Sequence, residues 1–251
     1  MSSTNDWDRL SNYFDTSKND IKSGAADNMM IAWPVILNFI QKYAPRNENI
    51  KVLDYGCGGG GFSNKLFSLG FDVTGVDLSS EMIAIAKKNY GEKVKFITGN
   101  SNILTSLGKF DIITSIMTLQ FIKNVADTID NFSKVLYKSN LLVFAVFNPA
   151  YVVEGIKIKR GFTDFDSDTN PKEGEKLFND GSIRIPVYIR TAYEYNAIAE
   201  KYGFKNVLEE YPEFTREYVN KYPEDRIYKN SEYLILGYRK NKSVLRKRNR
   251  L

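Results

Sequence analysis

Three observations predict a doubly wound α/β domain built on a mostly parallel sheet. Between Ile50 and Asn148, apolar runs of strand length alternate with amphipathic helical segments. Helical crossovers join parallel neighbours and cover both faces of a sheet. Glycines crowd the first strand-to-helix turn, in "VLDYGCGGGG" (Val52 to Gly61). Two further apolar runs near the end of the chain read as closing strands. The predicted sheet has seven strands, with an antiparallel strand at one edge, helices on both faces and an N-terminal helical lid.

Residues before 50 read as helical. Pro34 suits a first helical turn, so "WPVILNFIQKYA" is predicted to start a helix near Trp33, with "SGAADNMMIA" as a separate helical segment before it. "IKVLDYG" is the first strand and "GFSNKLFSLG" a short helix. "FDVTGVD" is the second strand, and "SSEMIAIAKKNYG" a helix with Ser79 as N-cap and Glu81 in its first turn. "KVKFITGN" is a third strand, with a short helix in "SNILTSL". "KFDIITSIM" and "NLLVFAVFN" are the fourth and fifth strands, joined through the helix "VADTIDNFSKVLYK". Residues 150–185 are polar and read as a long mobile excursion, with a strand following in "SIRIPVYIR". "TAYEYNAIAEKYGF" opens with a capping box, Thr191 and Glu194. "KNVLEEYP" and "EYLILGYRK" then pair at one sheet edge. The predicted divisions are an N-terminal cap (1–47), the main domain (48–240, with 150–190 as an insertion or lid beside the substrate) and a disordered basic tail (241–251).

Composition narrows the chemistry. Among 251 residues there is one cysteine, Cys57, and no histidine. This excludes an internal disulfide, a multi-thiolate or His-ligated metal site and the commonest general base. No metal is expected. The net charge of +5 resides in the tail: seven basic residues and no acidic ones lie from Arg239 onward, leaving 28 basic against 30 acidic residues in the body. That tail reads as solubilising rather than as a nucleic-acid groove. No apolar run reaches the ~20 residues of a membrane span, so a cytoplasmic protein is expected. Of 16 tyrosines, 11 lie from Tyr151 onward, which fits an aromatic-lined pocket or half-buried edge strands.

A strand-to-helix turn rich in glycine lets backbone approach a ligand at the carboxyl ends of parallel strands. The motif leaves the cofactor class open. Gly56, Gly58 and Gly61 satisfy G-x-G-x-x-G, whereas Gly56, Gly58 and Gly60 satisfy G-x-G-x-G. Asp77 closes the second strand, where a carboxylate can accept ribose hydroxyls in either class. Asp54 discriminates, because a carboxylate just before the turn repels a pyrophosphate and suits a cationic ligand. The N-terminal helices ahead of the turn and the closing strand pair point the same way.

In "VLDYGCGGGGFS", "VTGVDLSSEMIAIAKK", "FITGNSN", "FDIITSIMTLQFI" and "NLLVFAVFNP" the chain resembles the class I (Rossmann-like) S-adenosylmethionine-dependent methyltransferases of the small-molecule type. The resemblance covers about residues 48–150 by motif and 186–240 by pattern. It implies S-adenosylmethionine as cofactor and S-adenosylhomocysteine as product. Gly56, Cys57 and Gly58 would pass the methionine half, with Asp54 shaping that end. Asp77 would hold the ribose, and Leu78 and Met82 would flank the adenine. Asn100 stands where the family often has Asp, followed by Ser101; Ile116 and Met117 would lie near the sulfonium. Leu78, Met82 and Ile116 equally suit a core, and Cys57 a small buried filler.

Methyl transfer from a sulfonium is an in-line displacement needing alignment more than a strong base. Gln120 stands where relatives often carry histidine; it can orient a nucleophile but not deprotonate it. The acceptor is expected to be a small molecule methylated on nitrogen or oxygen, with Tyr13 and Trp33 closing the site and Arg190 anchoring the substrate. Alternatives are an RNA or protein methyltransferase using the basic tail, a nicotinamide-dependent oxidoreductase, and a cofactor-binding subunit without catalysis.

Overall fold

A computed structural model describes residues 4–15, 23–44 and 49–241. The chain opens with α1 (Thr4–Arg9), α2 (Ser23–Asp27) and α3 (Trp33–Tyr43). The expected break between the last two is absent. A π-helical turn, Asn28–Ala32, joins them into one helical run. Pro34, in the first turn of α3, has no N–H to give and its ring crowds the carbonyl four residues back. The wider turn relieves that crowding, and the Trp33 N–H bonds the Asn28 carbonyl five residues back.

Five parallel strands follow: β1 (Lys51–Tyr55), β2 (Asp72–Asp77), β3 (Lys95–Thr98), β4 (Phe110–Ile116) and β5 (Leu136–Phe147). Between them run α4 (Gly61–Ser68), α5 (Ser80–Tyr90) and α6 (Val125–Val135). After β5 come α7 (Pro149–Lys157), β6 (Phe162–Thr163), β7 (Glu173–Phe178), β8 (Ile183–Tyr188) and α8 (Ala192–Lys201). The chain closes with β9 (Phe204–Glu210), α9 (Arg216–Lys221) and β10 (Tyr233–Lys240). The main sheet has seven strands in the order β3-β2-β1-β4-β5-β10-β9, with β10 antiparallel to both of its neighbours.

Because the sheet is covered on both faces, its strands are apolar on both. Along β5, Leu141, Val143 and Ala145 enter one core while Leu142, Phe144 and Val146 enter the other. α6 buries Val125, Ile129 and Phe132 at helical spacing against the second core. Phe132 and Phe144 are fully buried, each a stabilisation of about 1.5–3 kcal/mol.

The segment expected to be a mobile excursion is folded. β6, β7 and β8 form a separate antiparallel sheet in the order β6-β7-β8, so "SIRIPVYIR" supplies a strand outside the main sheet. Its inward residues, Phe162, Phe178, Ile183 and Ile185, are buried, which a polar composition conceals. The expected basic tail lies almost wholly outside the described residues, which end at 241. Strand order reverses between β1 and β4, and at such a switch point the loops diverge and leave a crevice at the strands' carboxyl ends.

Candidate cofactor and acceptor cavity

A cavity of about 340 Å³ opens at this switch point. Its floor is the turn after β1. Gly56 has φ +75°, and a Cβ there would meet Thr118 Oγ1 at 2.0 Å. Gly58 also has positive φ, but a Cβ on it would meet only Met82 Sδ, at 4.0 Å. Gly56 is therefore bare so that β1 and the turn after β4 can touch, whereas Gly58 is bare toward the cavity.

Asp77 organises that turn. One carboxylate oxygen accepts the Gly58 N–H at 2.9 Å and the other the Ser79 N–H at 2.9 Å. Burial still raises its pKa above the ordinary carboxylate value, against these backbone donors. Asp54 is 2% exposed and accepts from the Ser63 hydroxyl (2.6 Å) and the Thr114 hydroxyl (2.9 Å). Burial pushes it up to about 6. The Cys57 thiol is pushed well up, by burial and by the nearby Asp77 and Asp54 charges; a thiol kept neutral is a poor nucleophile.

Asp54, Gly56, Cys57, Gly58, Asp77, Leu78, Met82, Asn100, Ile116 and Met117 all line the cavity, as do Tyr13, Trp33 and Gln120. Asn100 caps the following 3-10 turn, its side chain accepting the Asn102 N–H. Met117 holds φ +51° at the end of β4, a strained conformation for a side chain of its size. Gln120 is 1% exposed; its Nε2 lies 3.7 Å from Met117 Sδ and its Oε1 has no hydrogen-bond partner.

Two expected site residues lie elsewhere. Ser101 does not line the cavity; its hydroxyl accepts from Thr128 and Asn131 and ties α6 to the preceding turn. Arg190 does not reach the cavity either. It donates to the carbonyls of Ile122 (3.0 Å), Lys123 (2.7 Å) and Tyr188 (3.4 Å), and lies over the rings of Tyr188 and Tyr195. These donations clamp the end of β8 to the segment that carries Gln120, so the residue expected to anchor the substrate stands outside the cavity as a structural clamp.

Sequence reasoning missed much of the wall: Trp7 and Phe14 from the N-terminal segment, Asp27 and Asn28 beside the π turn, Lys176 and Phe178 on β7, and Glu232 before β10. A signal existed for Asp27, a carboxylate inside the apolar "GAADNMMIAWP". Glu232 likewise precedes the apolar "YLILGY". Asp8 secures the N-terminal part of this wall. Its carboxylate accepts from the Ser79 hydroxyl (2.5 Å) and the Glu81 N–H (3.2 Å) at the start of α5. Asp8→Ala is expected to loosen α1 by about 1 kcal/mol, read as roughly fivefold faster amide exchange in residues 7–14 with α5 unaffected at its centre.

The residues fit a cationic adenosyl ligand on structural grounds: a buried carboxylate (Asp54) at one end of the turn, a second (Asp77) closing β2, and at Gly58 a bare backbone whose Cβ would fill the cavity. Among the described residues no cluster of three or more potential metal ligands occurs, and no helix is long and apolar enough to cross a membrane.

A family model described as a methyltransferase domain matches residues 33–209. Curated relatives include two ubiquinone biosynthesis O-methyltransferases. The one from Pelagibacter ubique is 29% identical over 141 residues, 50% of this chain and 58% of that protein. The one from Actinobacillus pleuropneumoniae is 26% identical over 192 residues, 69% of this chain and 81% of that protein. Among solved structures, an S-adenosylmethionine-dependent methyltransferase from Mesorhizobium loti superposes with TM-score 0.64 at 21% identity, covering 87% of this chain and 100% of that one. The CcbJ methyltransferase from Streptomyces caelestis gives 0.64 at 16% identity, covering 94% and 98%. At such identities these two likenesses are of fold.

Proposed function

The chain belongs to the methyltransferase-domain family and uses S-adenosylmethionine, and from that premise we propose that it methylates a hydroxyl of a small-molecule acceptor in the cytoplasm. The observation that carries this reading is the arrangement of Asp54, the Gly56–Gly58 turn and Asp77 around a single cavity whose other wall is aromatic. The names of the curated relatives support oxygen as the methylated atom.

When bound, S-adenosylmethionine supplies a methyl group already activated by its sulfonium leaving group. The chain's residues then have to bind, orient and exclude water. Asp77 sits at the end of β2 to accept ribose hydroxyls. Asp54 would take the amino-acid end, Leu78 and Met82 would flank the base with Asn100 at its edge, and Ile116, Met117 and Cys57 would lie near the sulfur; all of them line the cavity. Trp7, Tyr13, Phe14 and Trp33 screen the cavity from one side and Phe178 from another.

Calorimetry with S-adenosylhomocysteine, set against NADH, tests the assignment; binding of NADH alone would overturn it. The same titration carries a pH signature. Asp54 titrates near 6 in the free protein, and an ammonium beside it favours the carboxylate. Affinity is expected to be full above pH 6 and to fall by up to tenfold per unit below it, with proton uptake by the protein as the ligand leaves. In the unliganded protein the sign is opposite for folding. A buried acid raised from 3.8 favours the fold while protonated, and that contribution is lost as pH rises through about 6.

A further inference from the structure

Away from the glycine turn the cavity holds a charged cluster to which the cofactor reading above gives no role. Asp27 ends α2, Glu232 precedes β10, and Lys176 lies on β7; all three line the cavity. Asp27 is 4% and Glu232 9% exposed. Their carboxyl groups hydrogen-bond to each other, which requires one proton between them. Asp27 also accepts from the Asn28 N–H (2.5 Å), and the Tyr233 hydroxyl donates to Asn28 Oδ1 beside it (3.4 Å).

Among the described residues, the Lys176 ammonium makes no hydrogen bond and no close ion pair. It lies over the rings of Phe162 (4.4 Å), Phe147 (5.6 Å) and Phe178 (5.9 Å) instead. The half-buried ammonium is thus flanked by aromatic rings and turned to the cavity, where a ligand oxygen can take its N–H donors.

Charge counting selects the ligand. The proton-sharing pair carries one negative charge and Lys176 one positive, so the cluster has no net charge to offer an ammonium. A phosphate or carboxylate would meet the acids as well as the lysine. A neutral hydroxyl satisfies both, donating to the pair while its oxygen lies beside the ammonium. Burial pushes Asp27 up to about 6 and raises Glu232 well above the ordinary carboxylate range, the Asp27 charge adding to it, while burial lowers Lys176 against the pull of Glu232, Asp27 and Asp225. Asp225 is already engaged by Arg160 and by the Tyr218 hydroxyl. Tyr151 and Tyr233, which also face the pair, are kept protonated by burial.

We propose that the Asp27–Glu232 pair accepts the proton of an acceptor hydroxyl, that Lys176 stabilises the resulting oxygen anion, and that the acceptor is a flat hydroxylated ring lying against Phe121, Phe147 and Phe178. The acceptor O–H bond breaks as an O–H bond forms on the pair. The freed oxygen lone pair takes the methyl carbon, and the carbon–sulfur electrons stay on sulfur. The proton on the pair then passes to water, the one proton the overall reaction releases. This assignment rests on the methyl-transfer reading above.

The test uses 4-nitrophenol, whose anion is coloured, titrated into the protein saturated with S-adenosylhomocysteine at a pH about one unit below the probe's own pKa. The wild type is expected to bind the probe mainly as the anion. Lys176→Met, Glu232→Gln and Asp27→Asn should each cut the bound anionic fraction at least fivefold, while Lys176→Arg restores most of it. Calorimetry of S-adenosylhomocysteine on every variant reports whether the fold and cofactor site survive. Should a carboxyl variant fail there, Lys176→Met, whose flexible apolar chain fits the phenylalanine cage, decides. A probe that does not bind the wild type, binds it protonated, or stays anionic in Lys176→Met overturns the proposal while leaving the methyl-transfer reading intact. Failure of the wild type to bind S-adenosylhomocysteine would instead remove that reading.

Discussion

Gly56→Ala is expected to abolish detectable cofactor binding and to destabilise the fold by roughly 2–5 kcal/mol. Two independent penalties meet at this residue. Its φ of +75° is one that a residue with a Cβ adopts only under strain, and the added carbon would sit 2.0 Å from Thr118 Oγ1 and 2.5 Å from Thr118 Cγ2. Relief requires either that the turn after β1 retreat or that the turn after β4 move outward. Either displacement changes the distance between the Gly58 backbone and Met117, which line the same cavity. Thermal unfolding and calorimetry of Gly56→Ala, and of Gly56→Ala with Thr118→Gly, separate the terms. The double variant should recover the part due to the clash and keep the part due to φ. Equal stability of the single variant and wild type would show that the turn is looser than its geometry implies.

Asp77→Ala is expected to weaken S-adenosylhomocysteine binding by a hundredfold or more. Loss of Asp77 as the proposed ribose acceptor would by itself strand hydroxyl donors, at about 1–3 kcal/mol. The geometry adds a second loss, because the same carboxylate receives the Gly58 and Ser79 N–H groups. Without it the Gly58 end of the turn loses its tie to β2, leaving the Gly56 and Cys57 N–H bonds to the Val76 carbonyl. Asp77→Asn distinguishes the two contributions. Its amide oxygen can still accept one backbone N–H, so the fold should be restored more fully than the affinity. A dissociation constant unchanged in Asp77→Ala, with folding intact, would remove Asp77 from the cofactor site.

Much of this architecture was legible because its determinants are local. Strand-to-helix alternation, the Ser79 N-cap and the Thr191–Glu194 capping box each depend on residues within a few positions, and the structure contains both caps. The glycine turn was legible for the same reason: a bare backbone between a buried strand and a helix has few uses. The single antiparallel strand next to the far edge, β10, follows from the final apolar run having to pair with the exposed side of β5.

The acceptor side was illegible because it is assembled from segments far apart in the chain. Asp27, Lys176 and Glu232 carry no shared motif, and only the return of β10 beside β5 and the folding of β6, β7 and β8 over the cavity bring them together. Lys176 shows why composition misled: in "EGEKLF" it reads as a solvated strand residue, yet the phenylalanines around it come from β5, β6 and its own strand. Arg190 failed in the opposite direction. A guanidinium at a strand end looks free in one dimension, but in three it finds backbone carbonyls within 3.0 Å, and those bonds hold it outside the cavity lining. By itself the sequence determined the sheet, the cofactor turn and the chemistry excluded by a chain without histidine, since these rest on short-range pattern and composition. Which charges face the acceptor was decided only by the tertiary structure, because burial and long-range pairing determine whether a charged side chain meets water, backbone or a ligand.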